Sequence, residues 1–453
     1  MSENNLDNSL KLIAKSSLIV FIGLFLSKLS IYLYRAVIAR YFGPEVYGLF
    51  SLALMIVSWF VVFSVLGINQ GILRYIPLYR GKEEINKIRY LFKSFFFFLL
   101  LTSIFSGILL FVFSEFISVN IFHNSDLTIF LKIFSITVPL MVLLQFFLYL
   151  ILAFEKINWY SFIYNILQDF VKVFSLILLV FLGFGINSIF FSYIFGTFSA
   201  FFAAYLVCKK YLKPIFGKYI LNKEKRHELF KEVTSYSWPL LFSGIVATIF
   251  VWTDSFVIGF FMDVKYVGYY NSAIPIAMLL TIVSELFTKL FSPLITKEYS
   301  RDEENIGLIR QLSQQIGKWI FLFNLPLLLL MLIFPEQLIS ILFGSQYIIA
   351  KNSLRFLSVG MFFSALFTVS QRLISMIGKS KILLIDTIIV SVINFLLNII
   401  LVKEYGMSGA AFSTMISLIL LNLLFLFQAK KFLSIVPLKK KMLRIFLISL
   451  IPT

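Results

Sequence analysis

Lys28, Tyr32 and Arg35 lie within one apolar run near the amino terminus. Seven residues bring a helix back to nearly the same face, so Lys28 and Arg35 stand ~10 Å apart along the axis, with Tyr32 between them on that side. Two cations and a ring form an anion-binding face. The ammonium is a point charge, the guanidinium grips phosphate oxygens in a bidentate fork, and the ring is a stacking surface. A charge inside a membrane span costs ~2.5–3.5 kcal/mol on insertion scales and as a rule turns inward. Lys28 is too deep to reach an interface easily. Arg35, nearer the helix end, has the alternative of snorkelling to the outer surface.

Other charges in apolar runs come in potential pairs: Asp169 with Lys172, Glu285 with Lys289, and Arg372 with Asp386. Spacings of three or four allow the first two to neutralise themselves on a helix face. Lys172 is the best of these for a further cavity cation. Arg74, preceded by Asn69 and Gln70, is expected at the cytoplasmic end of helix two, either receiving an anionic cargo or anchoring the helix in headgroups. Asp254 stands alone in its run, either facing the cationic surface or capped near the outer surface. The only histidines are His123 and His227, both expected in loops, and Cys208 is the only cysteine. That excludes an internal disulfide and a cysteine-based metal cluster, and no cofactor is expected. HExxH, Walker A and GxSxG motifs are missing, so ATP is not expected as the direct energy source and the chain does not read as an enzyme.

The elements that must hold these residues are membrane helices. The 453 residues are 60% hydrophobic and 14% charged, with a mean hydropathy of +0.94. Runs of ~20 apolar residues, enough to cross a ~30 Å hydrocarbon core, recur throughout without the alternation of a barrel strand. Hydrophobic windows predict helices near 13–38, 47–72, 91–113, 129–153, 160–183 and 187–207, then 237–261, 271–294, 317–342, 353–376, 383–402 and 407–428. A thirteenth begins near Met442 and is still running at Thr453; it is expected to be truncated or unusual. Pro139 and Pro326 should kink the fourth and ninth. The formal charge of +18 gathers in loops after helices two, six and twelve, whereas those after three and five carry no Lys or Arg. This pattern argues against nucleic acid and for attraction to anionic lipid. It puts the amino terminus on the cytoplasmic side of the cell membrane.

The chain also repeats itself. "VYGLFSLA" (Val46–Ala53) and "YVGYYNSA" (Tyr266–Ala273) align with Gly48 and Gly268 220 residues apart, Phe50 opposite Tyr270 and Ser51 opposite Asn271. "FGINSIF" from Phe184 and "YGMSGAA" from Tyr405 align at an offset of 221, pairing Gly185 with Gly406. Six helices per copy make this a parallel repeat about an axis along the membrane normal. The expected organisation is a six-helix lobe over 1–207, a basic cytoplasmic linker over 208–236, a second lobe over 237–428, and a basic loop with the start of the extra helix over 429–453. Asp254 then falls within one position of the repeat equivalent of Arg35.

"ARYFGPEVYGLFSLA" (Ala39–Ala53), "DSFVIGFFMDVKYVGYYNSA" (Asp254–Ala273) and "EYGMSGAAFSTMIS" (Glu404–Ser417) resemble polysaccharide-biosynthesis, or O-antigen, flippases of the multidrug/oligosaccharidyl-lipid/polysaccharide exporter superfamily. The resemblance runs from helix one to helix twelve. It implies an all-α polytopic membrane protein with two pseudo-symmetric lobes in a MATE-like V. It also implies an oligosaccharide on a polyprenyl phosphate or pyrophosphate carrier as cargo, with the polysaccharide polymerase or ligase machinery as a further partner. Lys28, Tyr32, Arg35, Arg74, Lys172 and Asp254 are then the candidate cargo-binding residues. The same fold admits a drug or cation antiporter, which would favour an acidic or neutral cavity. A membrane glycan polymerase or ligase would need a larger outer loop than the stretch from Ser114 to Thr128.

Overall fold

The computed structural model describes residues 3–288 and 306–437, with side chains from Leu26 onward except 289–306. The fold is all-α, with no strand among the described residues. In chain order the α-helices begin with α1 (Glu3–Val65), α2 (Ile68–Gly81), α3 (Ile85–Glu115), α4 (Asp126–Ser135) and α5 (Thr137–Ala153). Then come α6 (Ile157–Ser161), α7 (Gln168–Phe181), α8 (Asn187–Tyr211), α9 (Lys223–Phe261) and α10 (Val264–Ala277). A further helix, α11, covers Leu279–Thr288. The remainder are α12 (Ile306–Ile333), α13 (Pro335–Phe343), α14 (Lys351–Met376) and α15 (Ser380–Leu433).

Eight helical stretches among the described residues are long and apolar enough to cross a membrane, or up to ten if each bent pair is one span. Two of them each hold two expected helices. α1 is broken at Gly43 (φ 83°) and α15 at Gly406 (φ 59°). Both glycines adopt a left-handed conformation that other residues resist, which lets the chain turn a corner without a loop. Gly185, the repeat partner of Gly406, has φ 55°. Other matched positions also agree: Phe50 and Tyr270, Ser51 and Asn271, and Ala53 and Ala273 are all buried. The expected thirteenth helix near Met442 lies outside the described residues.

The prolines act unequally. Pro139 sits in the first turn of α5, and the span made by α4 and α5 bends by 41° there. A proline at 139 cannot donate to the carbonyl at 135, where the ladder parts. Pro326, expected to kink its helix, lies inside α12, which runs on as one helix through it. The expected second span, 47–72, also differs: α1 stops at Val65, Leu66 and Gly67 take positive φ, and Asn69, Gln70 and Arg74 ride on α2.

Contacts divide the chain into two compact units, Met1–Ile249 and Phe250–Thr453, with the boundary inside α9. In the first unit α1 packs against α3, α4, α5 and α7, and α8 against α5 and α7. Its centre is aromatic: Phe134 meets Tyr193 at 5.1 Å, and Phe50 meets Tyr34 at 5.9 Å, between ring centroids. In the second unit α14 packs along α15 and α12. Phe191, Phe195, Phe198 and Phe202 are exposed along one side of α8, as expected of a helix presenting apolar side chains to lipid.

Candidate functional site

Unit 1 contains an open-mouthed cavity of about 280 Å³ among α1, α5, α8 and the span from Ile157 to Phe181. α1 contributes Ser27, Ser30, Tyr34 and Arg35; α5 contributes Gln145. The 157–181 span contributes Tyr164, Gln168, Asp169 and Lys172, and α8 contributes Tyr193. That span is not a uniform α-helix. Residues Phe162–Leu167 form a π-helical turn, which re-phases the face that follows it. Immediately after it come Gln168, Asp169 and, one turn on, Lys172.

Lys172 is held from three directions. Its Nζ lies 3.8 Å from Asp169 Oδ1 and 4.5 Å from the centre of the Tyr193 ring. Its stem fits against Gly196 of α8, where an added Cβ would lie 2.3 Å from Lys172 Cγ and 2.9 Å from the Gln168 carbonyl oxygen. Asp169 in turn accepts a hydrogen bond from Ser27 Oγ at 3.0 Å, tying the pair to α1. Arg35 is half-buried at the same cavity and hydrogen-bonds the buried Tyr47. The Tyr34 hydroxyl is satisfied within the unit, by the Ile189 carbonyl at 3.2 Å and by Ser192 Oγ at 3.0 Å. Its ring therefore serves as wall rather than ligand.

Of the residues singled out in the sequence, the fold brings Arg35 and Lys172 together. Lys28 and Tyr32 share α1 with Arg35, half-buried beside the cavity-lining face rather than on it. Arg74 is exposed on α2, with its guanidinium 4.3 Å from the centre of the Tyr236 ring. A hydrogen bond with Tyr236 raises its pKa above the usual value.

Asp254 is in unit 2, 6% exposed. It accepts from Tyr270 Oη, from Asn398 Nδ2 at 3.0 Å and from Thr414 Oγ1 at 2.7 and 2.8 Å. Asn398 and Thr414 stand on opposite sides of the Gly406 corner of α15. The corner folds the helix back so that both reach one carboxylate. Asp386, expected opposite Arg372, instead takes a bond from Gln428 Nε2. Arg372 is exposed and forms no ion pair with it among the described residues. Lys289, the expected partner of Glu285, is outside the described residues. Among the described residues no group of three or more His, Cys, Asp or Glu could hold a metal ion.

Sequence reasoning overlooked the uncharged lining. Gln145 and Gln168 are amides in apolar runs, a signal as unusual as a charge there, and Tyr34, Tyr164 and Tyr193 complete the walls.

The family pattern described as "Polysaccharide biosynthesis protein" matches residues 37–352, most of the chain and all of the cavity-lining helices after the middle of α1. The chain belongs to that polysaccharide biosynthesis family. A Shigella flexneri protein named as an O-antigen transporter is 25% identical over 398 residues, covering 84% of this chain and 89% of its own. Two solved structures share the fold of this polysaccharide biosynthesis protein. The lipid II flippase MurJ, in an inward closed conformation, superposes with a TM-score of 0.74 at 21% identity, over 96% of this chain and 91% of that one. A multidrug resistance transporter of the MATE family and MOP superfamily, inward-facing, gives 0.74 at 14% identity, over 92% and 98%. Fold therefore does not separate glycan from drug. The family match and the named transporter point to glycan.

Proposed function

We propose that this protein is a flippase that moves a polyprenyl-phosphate- or pyrophosphate-linked oligosaccharide from the cytoplasmic to the outer leaflet by alternating access. It serves the synthesis of a surface polysaccharide or glycan. It lies in the cell membrane with its amino terminus in the cytoplasm, and it transports without chemical conversion. One observation carries the reading: Arg35 of α1 and Lys172 of α7 converge on one polar, aromatic-walled cavity. Among the described lining residues Asp169 is the only acid, against the two cations Arg35 and Lys172. Such a site suits a phosphate and repels the cations that a drug antiporter would carry.

On this reading Arg35 and Lys172 take the cargo phosphate, and Lys28 and Tyr32 extend the same surface along α1. Arg74, exposed on α2, meets the incoming headgroup. Asp254, buried in unit 2, is held by Tyr270, Asn398 and Thr414. Polysaccharide polymerase or ligase machinery would receive the product.

The test is complementation of a flippase-deficient strain, read as surface glycan with membrane protein level measured in parallel. A charge-assisted hydrogen bond contributes about 1.5–3 kcal/mol, so Arg35→Gln and Lys172→Gln should each lower transport roughly 10- to 100-fold at unchanged protein level. Arg35→Lys should keep part of the activity. Lys28→Gln should fall between these variants and the wild type. Full activity in Arg35→Gln would sink the assignment.

A further inference from the structure

The cavity holds more polar chemistry than a phosphate needs. Gln168 is 7% exposed and lines the cavity, and its side-chain amide has no hydrogen-bond partner among the described residues. Its amide atoms are not among the fully buried, unpartnered ones; they open to the cavity, where water or a ligand can satisfy them. Gln145, on the facing helix α5, is oriented by a second amide. Asn69 Nδ2 donates to Gln145 Oε1 at 3.2 Å, which leaves the two Nε2 hydrogens of Gln145 for the cavity. Tyr34 and Phe50, with centroids 5.9 Å apart, and Tyr193 supply flat apolar walls. Fixed amides over aromatic faces match a ligand with hydroxyls around its edge and C–H groups on its faces.

We propose that this cavity is a saccharide subsite in which Gln168 and Gln145 hydrogen-bond the sugar attached directly to the carrier phosphate. The inference rests on the flippase reading and names the part of the cargo that the first unit reads. The geometry fixes which sugar of the chain this is. Arg35 and Lys172 line the same cavity as Gln168 and Gln145, so of all the sugars of the cargo the one bonded to a phosphate they hold lies nearest the two amides. Gln168 is also placed by the π turn at Phe162–Leu167, a local departure from regular helix of the kind that clusters at functional sites. Gln168 and Gln145 are thus specificity-determining residues. They set which first sugar is accepted, while the cations supply affinity common to all cargos.

The probes are short-chain polyprenyl diphosphates, one bare and four carrying a single glucose, galactose, N-acetylglucosamine or N-acetylgalactosamine. Equilibrium binding is measured with the purified full chain in nanodiscs. The wild type should bind at least one sugar-bearing carrier about tenfold or more tighter than the bare one, as expected for a pair of hydrogen bonds. Gln168→Leu, similar in size but apolar, should bring that ratio to within about threefold of unity. Gln168→Asn, which keeps the amide but shortens its reach, should lower the ratio less and guards against a folding defect in the leucine variant. If the wild type binds all five carriers alike, or Gln168→Leu keeps the full preference, the saccharide subsite is overturned while the flippase reading stands. Binding of none of the five would overturn both.

Discussion

At the scale of the residue, the ion pair of Asp169 and Lys172 illustrates how a cation is kept inside a membrane protein. Both side chains are largely withdrawn from solvent, at 10% and 13% exposure. Each compensates the other's desolvation, and Ser27 and the Tyr193 ring add what the ion pair alone lacks. Taking away one partner of a buried pair leaves an uncompensated charge and costs about 3–5 kcal/mol, whereas replacing both with apolar groups of similar size is often close to neutral. Asp169→Leu and Lys172→Met should therefore each lower the thermal midpoint in detergent sharply, and the double variant should recover most of the loss. The double variant should nonetheless transport as poorly as Lys172→Gln, because it lacks one of the two cavity cations; this separates the stabilising role of Lys172 from its role toward cargo. Additive losses in the double variant would show that the two charges are not coupled. The pairing itself was legible in the sequence, since a spacing of three on a helix is enough to predict it. The neighbours Ser27 and Tyr193 were not, because they come from helices far away in the chain.

At the scale of the element, α7 and α8 approach closely at Gly196, against Lys172 and Gln168 of the cavity lining. An alanine there would meet Lys172 Cγ and the Gln168 carbonyl oxygen at separations real side chains do not reach, so the helices must part or Lys172 must move. Overpacking of this kind costs about 1–3 kcal/mol, partly offset by the better helix propensity of alanine, up to about 1 kcal/mol. Gly196→Ala should lower the thermal midpoint modestly but weaken cargo binding strongly, since it displaces the two residues that face the ligand. Gly81→Ala, at a helical glycine with open space around it, should change neither. If Gly196→Ala binds cargo like the wild type, the close approach does not shape the site. Much of this level was readable beforehand: apolar runs located the spans and Pro139 marked a bend. The π turn, the break at Leu66 and Gly67, and the unbroken run of α12 through Pro326 were not. Each depends on what packs against the helix, which hydrophobic periodicity does not report. The break at residues 66 and 67 is what moves Arg74 from the end of a span onto a separate helix.

At the scale of the whole molecule, the repeat links the two units through their centres. Tyr34, Phe50 and Tyr193 wall the cavity of the first unit. The offsets of 220 for the first two and 221 for the third lead to Asp254, Tyr270 and Thr414, which bond one another in the second unit. Equivalent positions are thus filled by rings in one copy and by a self-satisfied polar cluster in the other, so the repeat conserves where the centre is but not its chemistry. Glycine spacing in the sequence gives the register; it cannot give which side chains at the centre bond each other, because those come from helices far apart in the chain. The expected six helices per copy would put equivalent turns on the same side of the membrane, and the proposed orientation makes that side the outer one. Single cysteines introduced in a Cys208→Ala background test both statements together. Asn187 follows the Gly185 turn in the first copy and Glu404 precedes the Gly406 corner in the second; both side chains are exposed. Asn187→Cys, Glu404→Cys and Ser125→Cys should react with a membrane-impermeant thiol reagent added to intact cells. Asn222→Cys, exposed in the basic segment before α9, should react only after the membrane is opened. Labelling of Asn187→Cys and Glu404→Cys from opposite sides would break the parallel repeat, and labelling of Asn222→Cys in intact cells would invert the orientation.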